Sequence, residues 1–375
     1  MSELKVDKVS PRSGTYVSLN TVGSKNIIIN GDMSIAQRGT SVSGITADSY
    51  YTVDRFLVDC DSQGTWTMSQ DTDVPSGQGF AKSLKMDCTT ADAAPAASDK
   101  IAIQHRIEGQ NLQYLKKGTS NSESLTASFW VKSNKTGTYI CELFDVDNLR
   151  QISKAYTIDA SNTWEKKTIT FAGDTTGAFD NDNGLSFALD FFLGAGSNYT
   201  SGTLNTSWGS QVDANRAVGQ VNLADSTANN FWITGVQLEA GTTASDFEFL
   251  PYDMNLQRCA RYYQIVQEAD GTGRIICNGA MYDNTGFYGT LYLGQRMRTN
   301  PTVSADTGTN AYQFLGNNAD GYASSPTLVN ISNNASIPKA RFQGTVSVSL
   351  GQGNAAWVRF SASSSNEKIT AEAEL

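Results

Sequence analysis

Apolar and polar residues alternate with a period of two through most of this chain. Ile101, Ile103, His105 and Ile107 fall on one side of a segment whose other side carries Gln104, Arg106 and Glu108. Leu125, Ala127, Phe129 and Val131 alternate with Thr126, Ser128, Trp130 and Lys132. Phe187, Leu189, Phe191 and Leu193 share a face, with Asp190 opposite. This period is the signature of half-buried strands. The run from Phe231 to Ala240 is instead apolar on both sides and closes at Gly241. Strands at this spacing, separated by polar turns, predict a two-sheet sandwich of jelly-roll type over residues 26–252.

The pattern breaks in four places. Residues 194–230 have few periodic apolar positions and read as a long loop excursion, with Tyr199, Trp208 and Val221 as anchors. Loops of that length are usually functional or ordered by a neighbour. An extended segment, Phe247 to Tyr252, crosses the body, and residues 253–266 predict a short amphipathic linking helix with Asp253 as N-cap. Its Met254, Cys259, Tyr262 and Tyr263 face the sandwich. Strand patterns resume after Gly271, at 275–282, 287–293, 302–305, 342–350, 356–362 and 369–375, and predict a second sandwich over residues 267–375. Before residue 26 apolar residues such as Leu4, Val6, Val9, Val17 and Leu19 are sparse among polar ones, too few to bury a core alone. Residues 1–25 are therefore expected to be an attachment and trimerisation segment ordered by sister subunits or another partner. The expected fold class is all-β: two β-sandwich, jelly-roll-like domains joined by a short helix.

Composition narrows the functions. Charged residues make up only 17% of the chain and glycines number 33, as suits a protein of many turns. A formal net charge of −9 argues against nucleic acid as a ligand, because phosphate binding needs clustered Lys and Arg. It also disfavours anionic membranes. No apolar run approaches the ~20 residues of a membrane span. The polar start MSELKVDKVSPRSG has no signal-peptide core, so synthesis and folding in a cytoplasm are expected, with release by another route such as lysis. Cys60, Cys88, Cys141, Cys259 and Cys277 are scattered, odd in number and free of CxxC spacing, which points to buried free thiols.

Catalytic patterns are sparse. His105 is the one histidine and lies on an apolar side, as a core or interface histidine would. There is no GxSxG elbow and no P-loop. Asp180-Asn181-Asp182-Asn183-Gly184 fails the EF-hand template, since Gly184 stands fifth and Phe191 falls where the bidentate Glu belongs; a solvated turn is expected. Glycoside hydrolysis needs only two carboxylates, but no pair stands out, and the short repeats of a parallel β-helix are missing. No enzyme, cofactor or metal is expected. What remains is aromatic recognition of sugars, for which Trp208, Tyr199 and then Trp130 are the candidates.

Several motifs carry a resemblance. Asn26-Ile27-Ile28-Ile29-Asn30-Gly31-Asp32-Met33 is followed by Gln37-Arg38-Gly39, Val53-Asp54-Arg55-Phe56, Arg106-Ile107-Glu108-Gly109 and Ser128-Phe129-Trp130-Val131-Lys132. The run ends with Ile233-Thr234-Gly235-Val236-Gln237-Leu238-Glu239 and Arg261-Tyr262-Tyr263. In this order they resemble bacteriophage tail-fibre or capsid-fibre proteins, marine or cyanophage-like, built on a carbohydrate-binding-module-like jelly roll. Leu4-Lys5-Val6-Asp7-Lys8-Val9 is similar to their attachment leader, while Met297–Val303 and Thr370–Leu375 are similar to distal fibre regions. Such jelly rolls commonly hold a structural calcium through an opening Phe-Glu and a closing Asp pair. Met33-Ser34 and Thr234-Gly235 stand there instead, so the resemblance implies the fold without that ion and leaves Asp32 alone. It further implies a homotrimer bound to other virion proteins through Leu4, Val6, Val9 and Val17, and to host surface polysaccharide. The alternatives are a polysaccharide depolymerase tailspike and a carbohydrate-binding module of a secreted enzyme.

Overall fold

The computed structural model describes residues 25–375 apart from 317–318, 324–325, 333–338 and 363–365. Leu4, Val6, Val9 and Val17, expected in attachment, lie outside the described residues. The first sandwich contains β1 (Ser41–Ile45), β2 (Phe56–Asp61), β3 (Thr65–Asp71), β4 (Ser83–Thr90), β5 (Lys100–Glu108) and β6 (Leu125–Ser133). It continues with β7 (Gly137–Asp145), β8 (Arg150–Ile158), β9 (Glu165–Phe171), β10 (Leu185–Ala195), β11 (Gly209–Ser210) and β12 (Asn230–Ala240). One six-stranded sheet runs β1-β3-β4-β12-β6-β9, and the other runs β11-β8-β7-β10-β5-β2. Their inner faces meet in an aromatic core, where Phe129 packs edge-on to Phe191 at 4.9 Å and to Tyr156 at 5.2 Å. Trp66 is fully buried there because its indole N–H donates to the Gln63 carbonyl at 2.7 Å.

Two expectations need correction. Residues 194–230 are no free excursion. With a short helix α1 (Ser197–Thr200) and β11, they cover the outer face of the second sheet. Tyr199 and Leu204 pack onto Phe192, Ile140 and Ala102. Arg216 bridges Glu142 at 2.6 Å and Asp190 at 3.7 Å, while Gln104 donates to Asp190 at 2.6 Å. Strands that alternate in sequence are therefore buried on both sides, since the cover supplies partners for the polar side. The linking helix α2 is also shorter than expected, Tyr252–Ala260, because Tyr263, Ile265 and Val266 favour a strand. Pro251 takes the N-cap position, and Asp253 sits in the first turn, where its charge complements the helix dipole.

Beyond α2 come β13 (Tyr263–Glu268), β14 (Ile275–Met281), β15 (Gly286–Tyr292), β16 (Thr302–Ala305) and β17 (Tyr312–Gly316). They are followed by β18 (Ala319–Ala323), β19 (Thr327–Ser332), β20 (Lys339–Thr345), β21 (Ala355–Phe360) and β22 (Lys368–Glu372). A three-stranded sheet, β13-β22-β16, faces a seven-stranded sheet, β18-β17-β21-β14-β15-β20-β19. Ile369 of the small sheet shares a core with Tyr312, Phe314, Phe342 and Phe360 of the large one. The chain is thus all-β, with two sandwiches and a short helix between them.

The two sandwiches are clamped together by residues 372–375. Arg55, fully buried, ion-pairs with Glu374, and the Tyr262 ring lies 3.5 Å beneath its guanidinium. Arg38 reaches Glu374 at 3.2 Å and Glu372 at 3.1 Å while stacking on Tyr263 at 3.7 Å. Arg106 donates to an oxygen of Leu375 at 2.7 Å, and Arg298 donates to the carbonyls of Ala373 and Glu374. Leu375 itself packs beside Ile29, Ile35, Cys259 and Tyr262. Arg261 grips Glu108 with two bonds of 2.7 Å.

Two outcomes follow from the clamp. Glu374→Gln leaves Arg55 buried without a counter-charge, a loss of about 3–5 kcal/mol. Calorimetry will show a lower Tm and separate melting of the two sandwiches. Asp54, beside the clamp, is pushed up to about 6 by burial, against the opposing hydrogen bonds from Gln37. Its folded form therefore holds the proton more tightly than the unfolded chain. The stability this group contributes is complete below its ordinary value and is lost as pH rises through about 6. Asp54→Asn removes that dependence, so its stability relative to wild type rises by on the order of 3 kcal/mol between pH 4 and 7.5 in urea titrations.

Candidate functional site

The outer face of the first sheet is left open over β6, β9 and β12, and a cleft of about 200 Å³ forms there. Its floor is the face of β6 that points away from the core, with Ser128 and Trp130. Trp130 pairs across the sheet with Thr234 on β12 and Lys166 on β9. One wall comes from the turn before β4, with Gln78 and Phe80; the other comes from the segment after β12, with Asp246, Phe247 and Phe249. Three phenylalanines brace the walls, with ring centroids 4.8 Å apart for Phe247 and Phe249 and 5.1 Å for Phe80 with each of the others. β12 makes room by breaking register between Thr234 and Gln237, and Gly235 there has φ +62°. A side chain at Gly235 would strike the Phe80 ring, so only glycine allows that wall to close. Phe249 remains 50% exposed at the rim.

Next to the cleft, two further tryptophans are locked. Trp232 donates to Asp71 at 3.1 Å and Trp164 to Asp73 at 2.9 Å, while the Lys132 ammonium lies 4.1 Å over the Trp232 ring and ion-pairs with Asp73. Burial would raise the Asp71 carboxyl, but the Trp232 N–H and backbone N–H groups outweigh it and hold it below its usual range. This part of the face is rigid and closed, since Trp232 is only 7% exposed. The cleft beside it offers a half-buried indole, apolar walls, an amide, a hydroxyl, an ammonium and a carboxylate. Such a set suits a ligand with flat apolar patches and many hydroxyls.

The three aromatic candidates fall in different places. Trp130 is in the cleft. Trp208 donates its N–H to the Ala172 carbonyl at 2.7 Å, lies over Phe187 and carries the Lys117 ammonium 5.6 Å above its ring. Tyr199 anchors the cover over the second sheet, with Lys100 5.8 Å from its ring centre. Both are half-buried and neither adjoins Trp130. Phe80, Phe247 and Phe249 were missed by sequence reasoning; the signal was the aromatic FEF segment, read only as a crossing. His105 is buried, accepts the Ile29 N–H at 3.3 Å and rests on Phe56, and burial lowers its affinity for a proton. Around Asp32, the Asn255 amide from α2 donates to Asp32 and Ser34 at 3.1 and 3.0 Å, so a neutral side chain bridges these groups. Asp182 accepts from the Gly184 N–H as a local turn. All five cysteines are buried and unpaired.

No family model matches the chain, and no curated protein sequence does. Solved structures show a faint overlap. The enzymatically active domain of tailspike protein 4 from bacteriophage CBA120 aligns at 13% identity and TM-score 0.29, over 58% of this chain and only 21% of that one. A putative sugar-binding protein from Bacteroides thetaiotaomicron aligns at 11% identity and TM-score 0.31, over 57% and 99% of the two chains. A family 22 carbohydrate-binding module of Clostridium thermocellum aligns at 12% and 0.28, over 56% and 98%. A likeness of this size names neither a family nor a ligand for this chain.

Truncation separates packing from binding roles. Trp208→Ala is expected to cost about 2–3 kcal/mol in urea denaturation, because it removes a ring and a hydrogen bond from a packed cover. Trp130→Ala is expected to cost less than about 1 kcal/mol.

Proposed function

We propose that this protein is a non-enzymatic virion component, a tail-fibre or capsid-surface fibre, that holds host surface polysaccharide in the Trp130 cleft. The cleft is the observation that carries the reading. The indole face of Trp130 takes pyranose C–H groups, and Gln78, Ser128, Lys166 and Asp246 are placed to meet hydroxyls. The phage setting rests on the ordered motifs from Asn26 to Tyr263 and on the leader Leu4–Val9. In this reading residues 1–25 join a homotrimer to other virion proteins after synthesis in the host cytoplasm, and weak sugar contacts gain strength from valency.

A binding rather than hydrolytic role is favoured by where the paired carboxylates lie. Asp190 and Glu142 face each other across β10 and β7, but the 194–230 cover buries both. Their partners are Arg216, Gln104 and Ser153. The cover closes this pair off from a polymer.

Trp130→Ala is the decisive variant. Stacking platforms are worth ~1–3 kcal/mol by analogy with bases, so adsorption to host cells should fall roughly 5- to 150-fold. Trp208→Ala protein that still folds should adsorb as wild type, and light scattering should give three times the 40.4 kDa chain mass. Unchanged adsorption by Trp130→Ala would sink the cleft. Release of reducing ends from host polysaccharide would make the protein a depolymerase.

A further inference from the structure

Among the described residues, the outer face of the seven-stranded sheet in the second sandwich has no cover comparable to residues 194–230. Its four central strands, β21, β14, β15 and β20, contain Lys339, Arg341 and Arg359 but not one Asp or Glu. In a chain of net charge −9 this is a local reversal. Strand register sets its layout. Trp357 pairs with Asn278, Gly279 pairs with Gly289, and Thr290 pairs with Arg341. Trp357, Asn278, Thr290 and Arg341 therefore form one row across four strands, spanning about 14 Å. The paired glycines lie in the floor of a depression of about 290 Å³ between Asn278 and Arg341.

The two ends of this row offer an aromatic ring and a guanidinium. Trp357 is 47% exposed, with its neighbours Asn278 and Ala355 also exposed. Arg341 is held in place rather than left to swing: its guanidinium sits 4.5 Å over the Tyr288 ring, which is stacked on Tyr282 at 4.0 Å. Its Nε is buried and meets no acceptor, and among the described residues no carboxylate pairs with it. Elsewhere the same kind of group is neutralised by a fork of two bonds, as in Arg150 with Asp174, Arg216 with Glu142 and Arg261 with Glu108. With Nε buried, the terminal nitrogens of a guanidinium held in place without its acid are the donors complementary to a planar carboxylate from outside.

We propose that this face is a second binding site, for a short acidic oligosaccharide, with a uronate carboxylate on Arg341 and a sugar ring further along the same oligosaccharide on Trp357. Asn278, Thr290 and Gln343 lie between or beside them for hydroxyls. The net negative charge repels long polyanions at a distance, so recognition is of a short stretch and not of bulk charge. The site is separate from the Trp130 cleft and does not rest on it.

Isothermal titration of the full chain with trigalacturonate, and with its methyl ester, tests the proposal. Trigalacturonate should bind, the ester at least tenfold more weakly, and the affinity should fall with added salt. Arg341→Gln and Trp357→Ala should each weaken trigalacturonate tenfold or more, and Arg341→Lys should not restore it, because the fork is lost while the charge stays. Trp130→Ala should leave this binding unchanged even if it abolishes adsorption. Trp357 is far from the Tyr288 stack and exposed, so its variant keeps the test open if Arg341→Gln unfolds. No binding of trigalacturonate, equal affinity for the ester, or wild-type affinity in both variants overturns the proposal. So does tighter binding of a short oligothymidylate, which would mark the face as a phosphate-backbone reader.

Discussion

A buried guanidinium with its carboxylate partner holds this molecule together. Arg55 is fully buried at the end of the first sandwich, and among the described residues Glu374 of the second sandwich is its carboxylate partner. An unpaired buried cation costs several kcal/mol, whereas the pair with its stacked tyrosine is close to neutral in energy. The interaction therefore contributes little to either half alone and much to their being joined. Arg38, Arg106 and Arg298 converge on residues 372–375, so the contact is a network whose members orient one another.

That network explains what the motifs in the sequence are for. Arg38, Arg55, Arg106, Glu108, Arg261, Tyr262 and Tyr263 all come from the stretches whose order carries the resemblance to phage fibres, and nearly all of them meet at the junction. Most of the recognisable residues mark scaffold, while Ser128, Trp130 and Gly235 of the same motifs line the cleft. Strands were legible because one face of each packs on the core, as in Leu125 to Val131. The 194–230 cover was not, because it buries its anchors through turns and hydrogen bonds that follow no period. The cleft was half legible. Trp130 stands out as an aromatic on the polar side of a strand, but its walls at Phe80 and Phe249 are far apart in sequence and close only because β12 breaks register at Gly235.

The two sandwiches treat their outer faces differently. In the first, one face is roofed by a loop that brings its own arginine to buried acids, and the other keeps a narrow opening flanked by locked tryptophans. In the second, a broad face carries Arg341 without a carboxylate partner among the described residues. Arg216 meets its acid within the fold at Glu142, whereas Arg341 is held by an aromatic stack alone, the difference on which the proposed second site rests.

The Arg55–Glu374 pair joins residues 319 positions apart, which is most of the length of the chain. On a ribosome, the first sandwich emerges and collapses long before Glu374 exists. During that interval Arg55 lacks both its carboxylate partner and the Tyr262 ring that covers it, and the contact closes a long loop. Residues near 374 thereby act as a latch set from the far end of the described fold: the first sandwich gains its counter-charge only when the second has brought Glu374 into place.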